Sequence, residues 1–123
     1  METIVVLDDE PVVRRLITAI LRLEGYLVLE TQTAAEVQRL AAEHAGQIDL
    51  LIADHALPNT TGRAVADSVR RVRPSIKFLE ISGHNRNQLQ YEGELTAESA
   101  FLQKPFSPRK LLEAVRETLN SPN

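Results

Sequence analysis

Ile4-Val5-Val6-Leu7-Asp8-Asp9-Glu10-Pro11 sets the reading of this chain: four apolar residues in a row, then three carboxylates, then a proline. An unbroken apolar run of this length is what a strand buried on both faces looks like, as in a parallel sheet covered by helices. Three more runs end on a group that chemistry can use. Leu50-Leu51-Ile52-Ala53 leads into Asp54, Phe78-Leu79-Glu80-Ile81 into Ser82-Gly83, and Ala100-Phe101-Leu102-Gln103 into Lys104-Pro105. Ligands of open parallel α/β sheets bind outside the carboxyl ends of the strands. If these runs are neighbouring parallel strands, carboxylates, a hydroxyl and an ammonium meet in one crevice.

Helical periods separate the runs, which is the alternation of repeated βαβ units. Pro11 suits a first helical turn and Gly25 a helix stop. Between them Val13, Leu16, Ile17, Ile20 and Leu21 recur at three and four and predict one apolar face. After the short run Leu27-Val28-Leu29, Thr33-Ala34-Ala35-Glu36 is a capping box that opens a helix through His44, ended by Gly46. Pro58-Asn59-Thr60-Thr61-Gly62 is loop chemistry, and Val65, Val69 and Val72 mark a helix that stops before Pro74. Residues 84–98 are polar, with Leu89, Tyr91 and Leu95 as anchors of a short helix. Ser107-Pro108 caps a last helix with the stripe Leu111, Leu112, Val115 and Leu119. The expectation is a single α/β domain over 1–123 with five strands and about five helices. The runs at 4–7 and 50–53 are its central strands, and those at 27–29 and 100–103 its edges.

Composition narrows the function classes. The chain has 123 residues, 43% hydrophobic and 25% charged, with net charge −3 and no cysteine. That is an ordinary soluble domain with no basic footprint for nucleic acid or an anionic membrane. No stretch approaches the roughly 20 apolar residues of a membrane span, and the acidic N-terminus does not read as a signal peptide. Without cysteine there is no disulfide or thiolate chemistry, and three histidines leave little for zinc. A cytoplasmic location fits this profile.

Asp8, Asp9 and Asp54 against Lys104 make an unfavourable cluster unless a cation joins it or protons bind. Mg²⁺ suits it, as a hard ion that works with one or two carboxylates and a phosphate. A carboxylate can attack phosphorus to give an aspartyl-phosphate. Lys104 then serves as a point charge on a phosphoryl oxygen and Ser82 as a hydroxyl donor to the same group. Taken singly, each signal has a plainer reading: the Asp as a helix cap, Lys104 as a solvated lysine, Ser82 as a turn residue. The joint pattern favours the phosphoryl site.

Leu7-Asp8-Asp9-Glu10-Pro11, Asp54-His55-Ala56-Leu57-Pro58 with Gly62, Ile81-Ser82-Gly83 and Phe101-Leu102-Gln103-Lys104-Pro105-Phe106 resemble, in order and spacing, the signature of response-regulator receiver domains. The resemblance covers the whole chain. It implies a doubly wound, flavodoxin-like five-stranded parallel sheet of order 2-1-3-4-5 with helices on both faces. It also implies Asp54 as the phosphoryl acceptor, and Asp8, Asp9, Asp54 and the Ala56 backbone carbonyl as Mg²⁺ ligands. Ser82 becomes the switch hydroxyl, Lys104 the phosphate partner and Phe101 the aromatic switch, and Lys104-Pro105 is commonly cis. Its partner is a histidine kinase or histidine phosphotransfer protein, with no direct nucleic acid and no membrane. Phosphorylation is expected to repack the surface of the 84–98 segment, the last strand and the last helix. Self-phosphorylation and hydrolysis are slow chemistry, not turnover of a substrate.

The stretch around Ser82-Gly83-His84 and Phe101 to Ser107 looks most like receivers of hybrid sensor histidine kinases, with Gly83 where single-output regulators commonly carry alanine. The chain is open to being a stand-alone regulator or a domain of a longer one. Ala56 offers no side chain to position water, and His84 either compensates in part or is solvated. His55 is open to facing the phosphoryl group or a partner. His44 suits a helix C-terminus, and Arg70, Arg71 and Arg73 read as a solvated helix end. Two other functions compete. An aspartyl-phosphate phosphatase resembling the haloacid dehalogenases wants a second Asp at position 56, which is Ala, and a cap domain. A pseudo-receiver would bind a partner without phosphorylation.

Overall fold

Strands with no polar face must be covered on both sides, and among the described residues two helices lie on each side. The computed structural model describes residues 1–85, Leu89 and residues 99–122. The elements are β1 (Thr3–Leu7), α1 (Pro11–Leu23), β2 (Leu27–Thr31), α2 (Ala34–Glu43), β3 (Leu50–Asp54), β4 (Ala56–Leu57), β5 (Thr60–Thr61), α3 (Gly62–Arg70), β6 (Lys77–Ser82), β7 (Phe101–Gln103) and α4 (Pro108–Asn120). Five strands form one parallel sheet in the order β2-β1-β3-β6-β7, so counting only its strands gives the expected 2-1-3-4-5. β1 and β3 are buried throughout, and β2 and β7 are the edges.

Alternation along the strands divides the core. Ile4, Val6, Leu50, Ile52, Leu79 and Ile81 pack on α1 through Ile17 and Leu21 and on α4 through Leu111 and Val115. Val5, Leu7, Leu51 and Ala53 pack on α2 through Val37 and Ala41 and on α3 through Val65, Ala66 and Val69. The chain passes from β1 to β2 on one side and to β3 on the other, so the order reverses at β1. The carboxyl ends of β1 and β3 flank that switch point, where doubly wound sheets bind ligands.

Hydroxyl caps start three helices: Thr33, Thr61 and Ser107 accept from the N–H groups of Glu36, Ala64 and Lys110. α1 has no side-chain cap. There the Asp8 carboxylate takes the Glu10 N–H instead, at 2.8 Å.

Several expectations need correction. Leu16 is 50% exposed, whereas Arg14 and Thr18 are buried. Arg14 is held inside because its guanidinium donates to the Asp8 carbonyl at 2.9 Å and lies 3.4 Å from Glu30. α3 ends at Arg70, leaving Val72 exposed. Pro58 and Asn59 turn a short hairpin, β4 against β5, where only a loop was expected. Asn59 takes φ 65°, the left-handed value that the third residue of a type II turn requires. Arg73 is no solvated helix end: it donates to the carbonyls of Ala41, His44 and Gly46 at 2.7–2.8 Å. From the expected 84–98 helix Leu89 is buried, with its N–H on the Asn85 carbonyl; Tyr91 and Leu95 lie outside the described residues.

Candidate functional site

Each of the four polar groups singled out at the strand ends arrives at the same rim because its strand delivers it there. Asp8 follows β1, Asp54 ends β3, Ser82 ends β6 and Lys104 follows β7. The Lys104 peptide N–H donates to the Ser82 carbonyl at 2.7 Å, which docks the last loop on β6, and Lys104-Pro105 is cis. Lys104 Nζ lies 2.6 Å from Asp54 Oδ2, 3.2 Å from Glu10 Oε1 and 3.6 Å from Asp8 Oδ2.

Oxygens of Asp8, Glu10 and Asp54 lie within 4.8 Å of one another, which makes them a set that could hold a metal ion. Asp9, expected in this set, is exposed and borders the same cleft outside it. Glu10 joins this set although the sequence motif implies no role for it; its mark in the sequence is its place in the run of three acids, Asp8 to Glu10. Asp54 Oδ1 accepts from the Ala56 N–H at 3.1 Å. The cleft has a volume of ≈ 370 Å³, and Ala56, Ser82, Gly83 and His84 complete its lining beside Asp9, Glu10, Asp54 and Lys104. Ser82 Oγ accepts from the His84 N–H at 3.0 Å. Phe101 is half-buried on the edge strand, opposite Glu80 in register.

Charge at the rim is uneven. Burial pushes the Asp8 carboxyl above its ordinary pKa, against the pull of the Glu10 N–H and of Lys104; Asp54 and Glu10 push it further up. Burial lowers the Lys104 ammonium, but the hydrogen bond and charge of Asp54, with Asp8 and Glu10, outweigh it and hold the pKa above the ordinary value. Asp8 Oδ2 is buried without a hydrogen-bond partner among the described residues. Three carboxylates with one ammonium leave net negative charge around an orphaned hard oxygen. That is the donor set a small divalent cation fits.

His55 does not face the cleft: its Nδ1 lies 2.6 Å from Glu80 Oε2 on the α3 side of the sheet. In the sequence Glu80 sits inside an apolar run, and nothing local marks it as a partner of His55.

A family model described as the response regulator receiver domain matches residues 4–116. Among curated proteins the chain is 30% identical over 117 residues to the sensor kinase CckA of Brucella abortus, covering 95% of this chain and 12% of that protein. It is 30% identical over 122 residues to the phosphate regulon regulator PhoB of Pseudomonas aeruginosa, covering 96% and 52%. The chain therefore spans only part of the relatives it matches. Among solved structures, the receiver domain of the hybrid histidine kinase CckA aligns with TM-score 0.77 and 34% identity over 96% of this chain and 99% of that one. A response regulator receiver protein from Sinorhizobium medicae aligns with TM-score 0.81 and 27% identity over 98% and 95%. No helix among the described residues is long and apolar enough to cross a membrane.

Proposed function

From the chain's membership of the response regulator receiver domain family, we propose that residues 1–123 act as one receiver unit whose Asp54 accepts a phosphoryl group in two-component or phosphorelay signalling. The observation that carries this reading is the 2.6 Å contact of Lys104 Nζ with Asp54 Oδ2 beside the acidic set of Asp8, Glu10 and Asp54. The donor is a histidine kinase or a histidine phosphotransfer protein, and the compartment is the cytoplasm. Neither nucleic acid nor membrane is a direct partner.

An Asp54 oxygen forms the new bond to phosphorus as the phosphorus–nitrogen bond of phosphohistidine breaks, and the departing imidazole takes a proton from water. Asp8, Asp9, Asp54 and the Ala56 carbonyl would hold Mg²⁺, which would supply neutralisation of charge on the phosphoryl oxygens. Glu10 stands close enough to share in that set. Lys104 exchanges its contact with the Asp54 carboxylate for a phosphoryl oxygen, and the Ser82 hydroxyl donates to another. Each charge-assisted bond contributes roughly 1.5–3 kcal/mol, so two invert a modest preference for the resting state. As Ser82 moves inward, Phe101 fills the vacated space and the surface of residues 84–98, β7 and α4 repacks.

Ala56 leaves an aspartyl-phosphate phosphatase without its second acid, and no observation favours a phosphorylation-independent binding module. The test is beryllofluoride with Mg²⁺, followed by amide spectra, and a small phosphoryl donor followed by intact mass. Saturable shifts around Asp54 and one added phosphoryl group are expected, both lost in Asp54→Asn. Uptake of phosphate by that variant at unchanged stoichiometry would overturn the assignment.

A further inference from the structure

One pair of ionisable side chains beside the acceptor has no part in the phosphoryl chemistry. His55 follows Asp54 directly, and Glu80 precedes Ser82 by two residues. Their Nδ1 and Oε2 atoms are 2.6 Å apart, and the residues are 8% and 1% exposed. Strand alternation places Glu80 on the same side of β6 as Phe78, the side packed on α3. That side of the sheet carries the apolar cluster of Ala53, Val65 and Val69 with Phe78 packed on it, and Glu80 also borders a cleft lined by Arg63, Arg70 and Ser99.

A buried polar contact of this kind often contributes no more stability than well-packed apolar residues of similar volume. Orientation accounts for what stability does not. The His55 N–H donates to the Ile81 carbonyl at 2.7 Å, and the His55 carbonyl accepts from the Gly62 N–H at 3.2 Å. The contact with Glu80 adds a third point of attachment, this one through the side chain. Residue 55 is thereby fixed between the acceptor and Ala56.

We propose that Glu80 is a positioning residue: through the His55 ring it sets the 55–56 peptide and so the Ala56 carbonyl that serves the Mg²⁺ site. This rests on the receiver reading above. Outer partners that orient metal ligands typically carry about tenfold or more in affinity.

The experiment measures Mg²⁺ affinity from amide shifts of the full chain, and phosphorylation by phosphoramidate at low and saturating Mg²⁺. Glu80→Leu should bind Mg²⁺ about tenfold more weakly and be slow at low Mg²⁺, recovering at saturation. Glu80→Gln, whose amide oxygen still accepts from Nδ1, should stay near wild type. The His55→Leu/Glu80→Leu double variant removes both buried polar groups and keeps the test open if Glu80→Leu misfolds; it should bind as weakly as Glu80→Leu. Wild-type Mg²⁺ affinity in a folded apolar variant, or Glu80→Gln as weak as Glu80→Leu, would overturn the inference alone. A wild-type chain that binds neither Mg²⁺ nor phosphoryl would overturn the receiver reading and this inference with it.

Discussion

Replacing Asp8 by Asn should stabilise the metal-free protein while removing its response to Mg²⁺. At an effective dielectric of about 20, the Lys104 ammonium 3.6 Å from Asp8 Oδ2 is worth about 4.6 kcal/mol of attraction. Asp54, within 4.8 Å, returns at least about 3.5 kcal/mol of repulsion on the same scale. Glu10 adds more, screened because its side chain is 60% exposed. The Coulomb contributions nearly cancel, so burial decides, and burial disfavours the charge. An Asn side chain keeps an oxygen for the Glu10 N–H and carries no charge to desolvate. The gain should be about 2 kcal/mol, which raises Tm by about 8 °C for a domain of this size.

Thermal melts in chelator and in Mg²⁺ check this. Wild type at tenfold Mg²⁺ over Kd gains about 1.4 kcal/mol, and Asp8→Asn should gain nothing. The pH dependence has a fixed sign. Because the folded pKa of Asp8 is raised, its contribution to stability is complete below the unfolded value of 3.8 and lost as pH rises through the folded value. The advantage of Asp8→Asn should therefore open with rising pH and close in acid. A variant that melts below wild type in chelator at neutral pH would refute the reasoning.

Gly62→Ala places a Cβ 2.5 Å from the Asp54 carbonyl oxygen; the forced shift should cost about 1–3 kcal/mol in urea unfolding and weaken Mg²⁺ binding together. A wild-type midpoint would count against that close approach. Arg73→Ala removes three donors from the C-terminal end of α2 and should cost about 2–3 kcal/mol by thermal melting, with Mg²⁺ affinity unchanged. Arg73→Lys should recover little, since one ammonium does not span three carbonyls.

The strand ends were readable because each joins an apolar run to a polar group, and both features lie within a few adjacent residues. Caps at Thr33 and Ser107 were readable for the same reason. Contacts across the chain were not. Glu80 meets His55 at a separation of 25 residues, Arg73 meets Ala41 at 32, and Lys104 meets Glu10 at 94. Apolar period gave Leu16 the same weight as Ile17, and only the packing of α1 on the sheet separates them. Arg14 illustrates the converse error: a charged residue reads as solvated until a carbonyl such as that of Asp8 is found to hold it.

Two buried carboxylates show how position turns similar chemistry to different ends. Asp8 Oδ2 and Glu80 Oε1 both lack a hydrogen-bond partner among the described residues. Glu80 lies on the α3 side of the sheet with a ring nitrogen already at 2.6 Å through its other oxygen. Asp8 stands at the switch point, where its other oxygen accepts from the Glu10 N–H and further acidic oxygens gather within 4.8 Å. Lys104 offsets one of those charges, and a divalent cation is the simplest group that offsets the remainder. Gathering like charges at the rim thus makes a set that could hold a cation, while the Glu80 carboxyl beneath it meets the His55 ring instead.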